Sequence, residues 1–238
     1  MMATSEFALY RPPEATAMAL AMPPRLESWD AKTAPSQLAL GRYLDHVADL
    51  TRERLAELGA GALSLELAVA LPEGTHLLRG GYDLDNFLYP VVRRLGSHRF
   101  ASAWVSKERG TVSTVRIGPA VLADPQELDT WSFASAETTA STSTAAWKRQ
   151  IAEQIAPAAR LAPDGPLEVQ LAFAVAARRN WAWLWKPAID ALGAIVGADD
   201  PTRPFQTRDD RIVRLALHRA VDDSLRNRVR VGIWWRWI

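Results

Sequence analysis

Apolar residues along this chain recur with two periods, and the same succession of periods occurs twice. From 38 to 58, Leu40, Tyr43, Leu44, Val47, Leu50 and Leu55 keep a 3.6-residue rhythm, which predicts a helix. Residues 63–70 (LSLELAVA) then alternate as a half-buried strand does. They reappear as LEVQLAFA at 167–174, identical at four of eight positions. Next, PVVRRLG at 90–96 is matched by PAIDALG at 187–193, with the Pro, a Leu and the final Gly in common. Strand-like residues 112–117 pair with 212–217. A shorter helix over 147–155, closed by Pro157, stands in the second series where 38–58 stands in the first.

Each series reads helix, strand, short helix, strand, with further strands at the ends. The fold class predicted is α+β, built of two like units at 1–125 and 126–238. The alternative is a single α+β domain whose strands look alike because strands generally do. The Ser/Thr/Ala-rich stretch 132–146 is a linker or an extended edge segment of the second unit. Trp131 stands before its helix roughly as Trp29 does before 38–58, which favours the edge segment.

Composition narrows the function only a little. A chain of 238 residues with 48% hydrophobic and 23% charged residues has ample material for a core. Its net charge of +1 gives no global pull towards nucleic acid, but from 203 onward nine Arg stand against four Asp. The absence of cysteine excludes disulfides and thiolate metal sites, and no apolar run approaches the roughly 20 residues of a membrane span. Residues 15–22 lack a basic flank and are closed by Pro23 and Pro24, so no signal peptide is expected and the cytoplasm is the expected compartment. No Gly-rich phosphate loop or Gly-x-Ser-x-Gly elbow occurs, and His46, His76, His98 and His218 have no ligand spacing.

The chemistry-bearing segment is Asp83-Leu84-Asp85-Asn86. In an extended segment, carboxylates at i and i+2 share a side, where they suit a hard cation such as Mg²⁺. Asn86 is expected to cap a helix that ends at Gly96. This Asp-x-Asp-Asn tetrad resembles the RusA family of Holliday junction resolvases. Their motif continues with a Lys often followed by Pro, an Asp in the same helix, and an acidic pair before a strand. The resemblance covers roughly 38–120 and 145–235, and only the tetrad and Lys-Pro blocks are specific. It implies two fused RusA-like units forming a single-chain pseudo-dimer, Mg²⁺ as cofactor, branched or structured DNA as partner, and endonuclease action in DNA recombination.

Each half departs from the pattern. In the first, Asp83, Asp85 and Asn86 match. Tyr89 stands for the Lys, Arg93 for the helix Asp, and the acidic pair falls near Arg109 and Gly110, with Glu108 the nearest carboxylate. In the second, Asn180, Ala182 and Trp183 replace the tetrad, while Lys186-Pro187, Asp190 and Asp209-Asp210 match. The resemblance therefore implies one composite site. Asp83, Asp85, Asp209 and Asp210 would hold the metal, and Lys186 would offset charge on the phosphate. Arg93, Arg94, Arg99, Arg208 and Arg211 are the expected DNA-binding residues. The alternative is a catalytically inactive relative, a DNA-binding or protein-interaction scaffold. In that case Asp83 is a helix cap and Asp209-Asp210 a solvated charge cluster. Trp181, Trp183 and Trp185 would share one side of an extended segment and, with the Trp-rich tail 233–238, form a seam between the halves or a protein-binding surface.

Overall fold

Strand alternation becomes one mixed eight-stranded sheet in the computed structural model, which describes residues 7–161, 163–200 and 202–238. In chain order the elements are β1 (Met18–Ala19), α1 (Pro35–Leu58), β2 (Leu63–Leu71), α2 (Leu84–Leu95), β3 (Phe100–Arg109), β4 (Thr114–Pro119) and β5 (Ser132–Thr138). Then follow α3 (Ala145–Ile155), β6 (Leu167–Val175), α4 (Trp185–Ile189), α5 (Gly193–Val196), β7 (Ile212–Val221) and β8 (Val229–Trp237). The structure is thus of the mixed α+β class. No helix among the described residues is long and apolar enough to cross a membrane.

The strand order β1-β4-β2-β3-β7-β6-β8-β5 reads alike from both edges. β2 runs parallel to β3 and β6 parallel to β7, and both pairs break register after their first residue, at Leu63/Ser64 and Leu167/Glu168. The two triplets meet where β3 pairs antiparallel with β7, with Trp104 opposite Ala216, Ser102 opposite His218 and Ser106 opposite Arg214. Phe100 and Ile212 open these strands, and Trp104 and Ala216 each lie four residues further on. Equivalent positions therefore face each other, as they do across an isologous twofold contact.

This topology corrects the strand matching read from sequence. The counterpart of β7 is β3; residues 112–117 run into β4, whose counterpart is β8. Alternation alone carries no information on register, so any two amphipathic strands can be aligned by eye. Residues 132–138 form an edge strand, β5, paired with β8. Trp131 precedes that strand, whereas Trp29 follows β1, so the two tryptophans are not equivalent.

One core cluster holds apolar side chains of every helix together with Leu65, Leu67 and Val69 of β2 and Leu171 and Phe173 of β6. The next residues on β6, Ala172 and Ala174, belong to a smaller cluster on the opposite face with Phe7, Leu9, Trp131 and Trp234. β6 was expected to be half-buried; it is buried along its whole length because the N-terminal segment covers its second face. Gly232 makes room there, since a Cβ would meet the Trp234 ring at 2.6 Å.

Candidate functional site

α2 begins one residue after Asp83, whose backbone is extended at φ −70° and ψ 129°. Asp83, not Asn86, is therefore the N-cap residue. Asn86 lies in the first turn and donates its side-chain amide to Asp83 Oδ2 at 3.2 Å. Acidic Asp85 in the first turn and Arg93 and Arg94 in the last suit the helix dipole, and Gly96 at φ 93° ends the helix. Pro90 sits inside α2 and has no N–H to offer the Asn86 carbonyl one turn back. That carbonyl instead accepts the Glu27 N–H at 2.8 Å, which ties the segment before α1 to the site.

In the second half, Asn180 opens a 3₁₀ turn (Trp181–Leu184) that passes directly into α4. Helical spacing separates the tryptophans that an extended segment would have aligned. Trp181 and Trp185 are buried with ring centroids 4.8 Å apart, while Trp183 points away and is 62% exposed. The Trp181 indole donates to the Ser97 carbonyl at 2.9 Å, so this ring does join the two halves.

α4 carries Lys186 into the acidic end of α2. Its ammonium donates to Asp209 Oδ2 at 2.7 Å and lies 3.4 Å from Asp190, 4.0 Å from Asp83 and 4.0 Å from Asp85. The structure thus brings together Asp83 and Asp85 from one half with Lys186 and Asp209 from the other. Asp190, which matched the motif, joins them as a fourth carboxylate. Asp210 is set further out; its backbone carbonyl, like that of Tyr82, accepts from the Lys107 ammonium at 2.6 and 2.8 Å respectively. Lys107 and Lys148, which donates to Asp190 at 2.5 Å, were not anticipated. One signal was available: the chain has 24 Arg and only four Lys, and three of those four surround this site. A compact ammonium acts as a point charge that several carboxylates can surround, whereas a guanidinium fork pairs with one carboxylate at a time.

Burial and crowding perturb these groups. Desolvation is the main cause raising Asp85, to about 7, with Lys186 opposing and Asp209 and Asp83 reinforcing it. Asp83 and Asp210 are also raised, chiefly by burial. Burial pulls Lys107 down to about 8. Burial also works against the Lys186 ammonium, but Asp85, Asp209 and Asp190 outweigh it and hold it charged well above its usual range. By count, Asp83, Asp85, Asp190, Asp209 and Asp210 face only Lys107, Lys148 and Lys186. All-oxygen donors short of positive charge suit a hard divalent cation in kind. Their spacing, however, is set around an ammonium. Among the described residues no group of three or more acidic or imidazole side chains is arranged to hold one ion.

The mirror-related position has none of this chemistry. The 3₁₀ turn Asp209–Arg211 leads into β7 as Ser97–Arg99 leads into β3, so Ser97 and His98 are the counterparts of Asp209 and Asp210. The expected location near Glu108, Arg109 and Gly110 is corrected, because Glu108 and Arg109 close β3 and do not precede it. Asn180 and Ala182 stand for Asp83 and Asp85, Tyr89 for Lys186, and Arg93 for Asp190. None of these counterparts is acidic, and Ala182, Tyr89 and Arg93 line the same cleft as Asp83, Asp85 and Asp190.

The arginines expected to contact DNA divide by environment. Arg211 is 1% exposed and donates to the carbonyls of Gly165, Val196 and Pro163, a bracing role that keeps it from phosphate. Arg99 likewise binds the carbonyls of Leu55 and Gly59 at the end of α1. Arg94 pairs with Asp45 at 2.6 Å and Arg208 with Asp164 at 3.1 Å. Arg93 remains at the site, 5.4 Å over the Tyr89 ring and 3.7 Å from Glu27. A basic group that the sequence reading overlooked is exposed beside Lys107, where a pocket is lined by His76, Arg79 and Arg109.

On the other side of Asp83 and Asp85 opens a cleft of about 690 Å³, floored by these carboxylates, Lys186 and Asp190 and walled by Trp29, Tyr89, Trp183 and Trp185. No protein-family model matches the chain, and no curated protein matches it.

Proposed function

We propose that this chain is a structured-DNA-binding protein of RusA-like type with one composite phosphodiester-cleaving site. In this reading it is a fused pseudo-dimer in which one of two ancestral sites persists. The observation that carries the reading is the convergence of Asp83 and Asp85 from one half with Lys186, Asp190 and Asp209 from the other. Helix capping or surface solvation would not require acidic groups from separate elements to gather at one place.

As they stand, Asp83, Asp85 and Asp209 are spaced around the Lys186 ammonium and not around one ion, so they would hold Mg²⁺, with the phosphate polarisation and activated water it supplies, only once Lys186 moves aside. Lys186 then places its charge beside the phosphate oxygens as negative charge grows on them. Lys107 braces the two loops that carry Asp83 and Asp210 by binding one carbonyl from each. Exposed Arg79 and Arg109 provide phosphate contacts for a DNA arm leaving the site.

One observation favours a second reading. The Lys186 ammonium already occupies the centre of the carboxylates, so the site can stand as a closed ion-pair cluster in a DNA-binding or protein-interaction scaffold without catalysis. Nicking of a four-way junction with Mg²⁺ or Mn²⁺, compared between wild type and Asp83→Asn/Asp85→Asn, separates the two. Metal-dependent nicking lost in the variant supports the enzyme. Tight junction binding with no nicking in either protein supports the scaffold.

A further inference from the structure

We infer that the aromatic cleft beside the acidic site binds an unpaired nucleobase adjoining the phosphate, so that the substrate class is DNA with single-stranded nucleotides at a branch. This rests on the nuclease or DNA-binding reading above and deepens it.

Trp29 is 89% exposed, yet the backbone that presents it is fixed on both sides. The Glu27 N–H binds the Asn86 carbonyl, the Gln37 amide donates to the Ser28 carbonyl, and the Asp30 carboxylate accepts from Ser28 and Ser36. The fixed backbone keeps a large exposed ring at the mouth of the cleft, so less ordering of the chain remains when a ligand stacks on it. Trp183 is presented in the same way, on a 3₁₀ turn anchored by buried Trp181 and Trp185. Trp185 and Tyr89 complete the aromatic lining of the same cleft, with ring centroids 6.3 Å apart in an edge-on contact.

The cleft is continuous with the carboxylates, so its occupant must be tolerated next to a phosphate-handling site. A nucleobase satisfies this because it is the flat group covalently adjacent to that phosphate. Every base has a π-face, so stacking on Trp29 or Trp183 is tolerant of sequence. Selection then falls on pairing state, since a base inside a duplex has both faces covered.

The test uses the full chain and two DNA probes carrying 2-aminopurine, one with the analogue unpaired at a branch and one with it inside a continuous duplex. Binding is measured with Ca²⁺ present for wild type, Trp29→Ala, Trp183→Ala and the conservative Trp29→Phe. The expected result is quenching of the unpaired probe by wild type, and a roughly five- to hundredfold weaker affinity for it in each Ala variant. Trp29→Phe should retain most of the binding, and duplex affinity should stay unchanged throughout. The inference is overturned if wild type binds both probes but the Ala variants keep full affinity for the unpaired one, or lose affinity for both equally. That result leaves the DNA-binding reading intact. Failure of wild type to bind either probe overturns both.

Discussion

Asp85 offers the sharpest check on whether the site is functional or merely structural. Its side chain is 4% exposed and its carboxyl is moved from 3.8 to about 7. Each tenfold change in proton affinity corresponds to about 1.4 kcal/mol, so the ionised group costs the folded state at most roughly 4 kcal/mol. The sign follows from linkage. Below the unfolded value both states are protonated and nothing is lost. Between that value and about 7 the unfolded chain ionises first, and stability falls as pH rises. Above about 7 the cost is constant. Asp85→Asn removes the titration while keeping the size. Urea unfolding at pH 3, 6 and 8 should therefore find the variant close to wild type at the lowest pH and more stable at the highest. The expected gain at pH 8 is at least about 1 kcal/mol, the ceiling being lowered by structural relaxation. Added Mg²⁺ should narrow the difference by stabilising wild type alone. A variant less stable than wild type at pH 8, or a difference independent of pH, would refute the argument that burial and like charge govern this group.

Three further outcomes follow from the same geometry. Lys186→Met leaves four carboxylates facing one another; because the side chain is 44% exposed, a loss of about 1–2 kcal/mol is expected at pH 8, below the full buried-pair cost. In thermal unfolding that loss should shrink towards pH 4, because burial raises Asp83 and Asp85 so that they take up protons first. Arg79→Ala/Arg109→Ala should lower the slope of log affinity against log salt for junction binding by roughly two, at about 0.9 per phosphate contact, whereas Arg211→Ala should destabilise the fold and leave the slope alone. Trp181→Ala should cost about 3–5 kcal/mol in urea unfolding as a buried aromatic truncation, and Trp183→Ala no more than about 0.5 kcal/mol as a surface change.

What the sequence disclosed depended on the range of the interaction. Local patterns were legible: the helix ending at Leu58, the short helix ending at Ile155 and the stop at Gly96 all follow from periodicity or from a glycine at positive φ. Pairing was not. Residues 112–117 and 212–217 look alike as strands, yet only the sheet order shows that β7 answers to β3. That misplacement in turn sent the search for acidic equivalents to the wrong end of β3, towards Glu108. At the site, Asp83 and Asp85 stood out through their spacing, and Lys186 and Asp209 through the resemblance to the RusA motif. Lys107 and Arg79 did not, because each is a lone basic residue whose place is set by strand register and loop path. The tryptophan triplet was misread for a similar reason. Residues 181–185 have the alternation of a strand, but they form a 3₁₀ turn that runs directly into α4.

Pro90 has a consequence for engineering. Substitution by alanine would restore a backbone donor inside α2 and, by propensity alone, favour the helix by up to about 3 kcal/mol. The repaired ladder would then compete for the oxygen that tethers Glu27, and the segment presenting Trp29 would lose its bond to α2 while keeping those to Gln37 and Ser36. A search for thermostable variants would reward that exchange, while one wall of the cleft loosened. The aperture is held open in part by a hydrogen atom the helix does not possess, and completing the helix would slacken it.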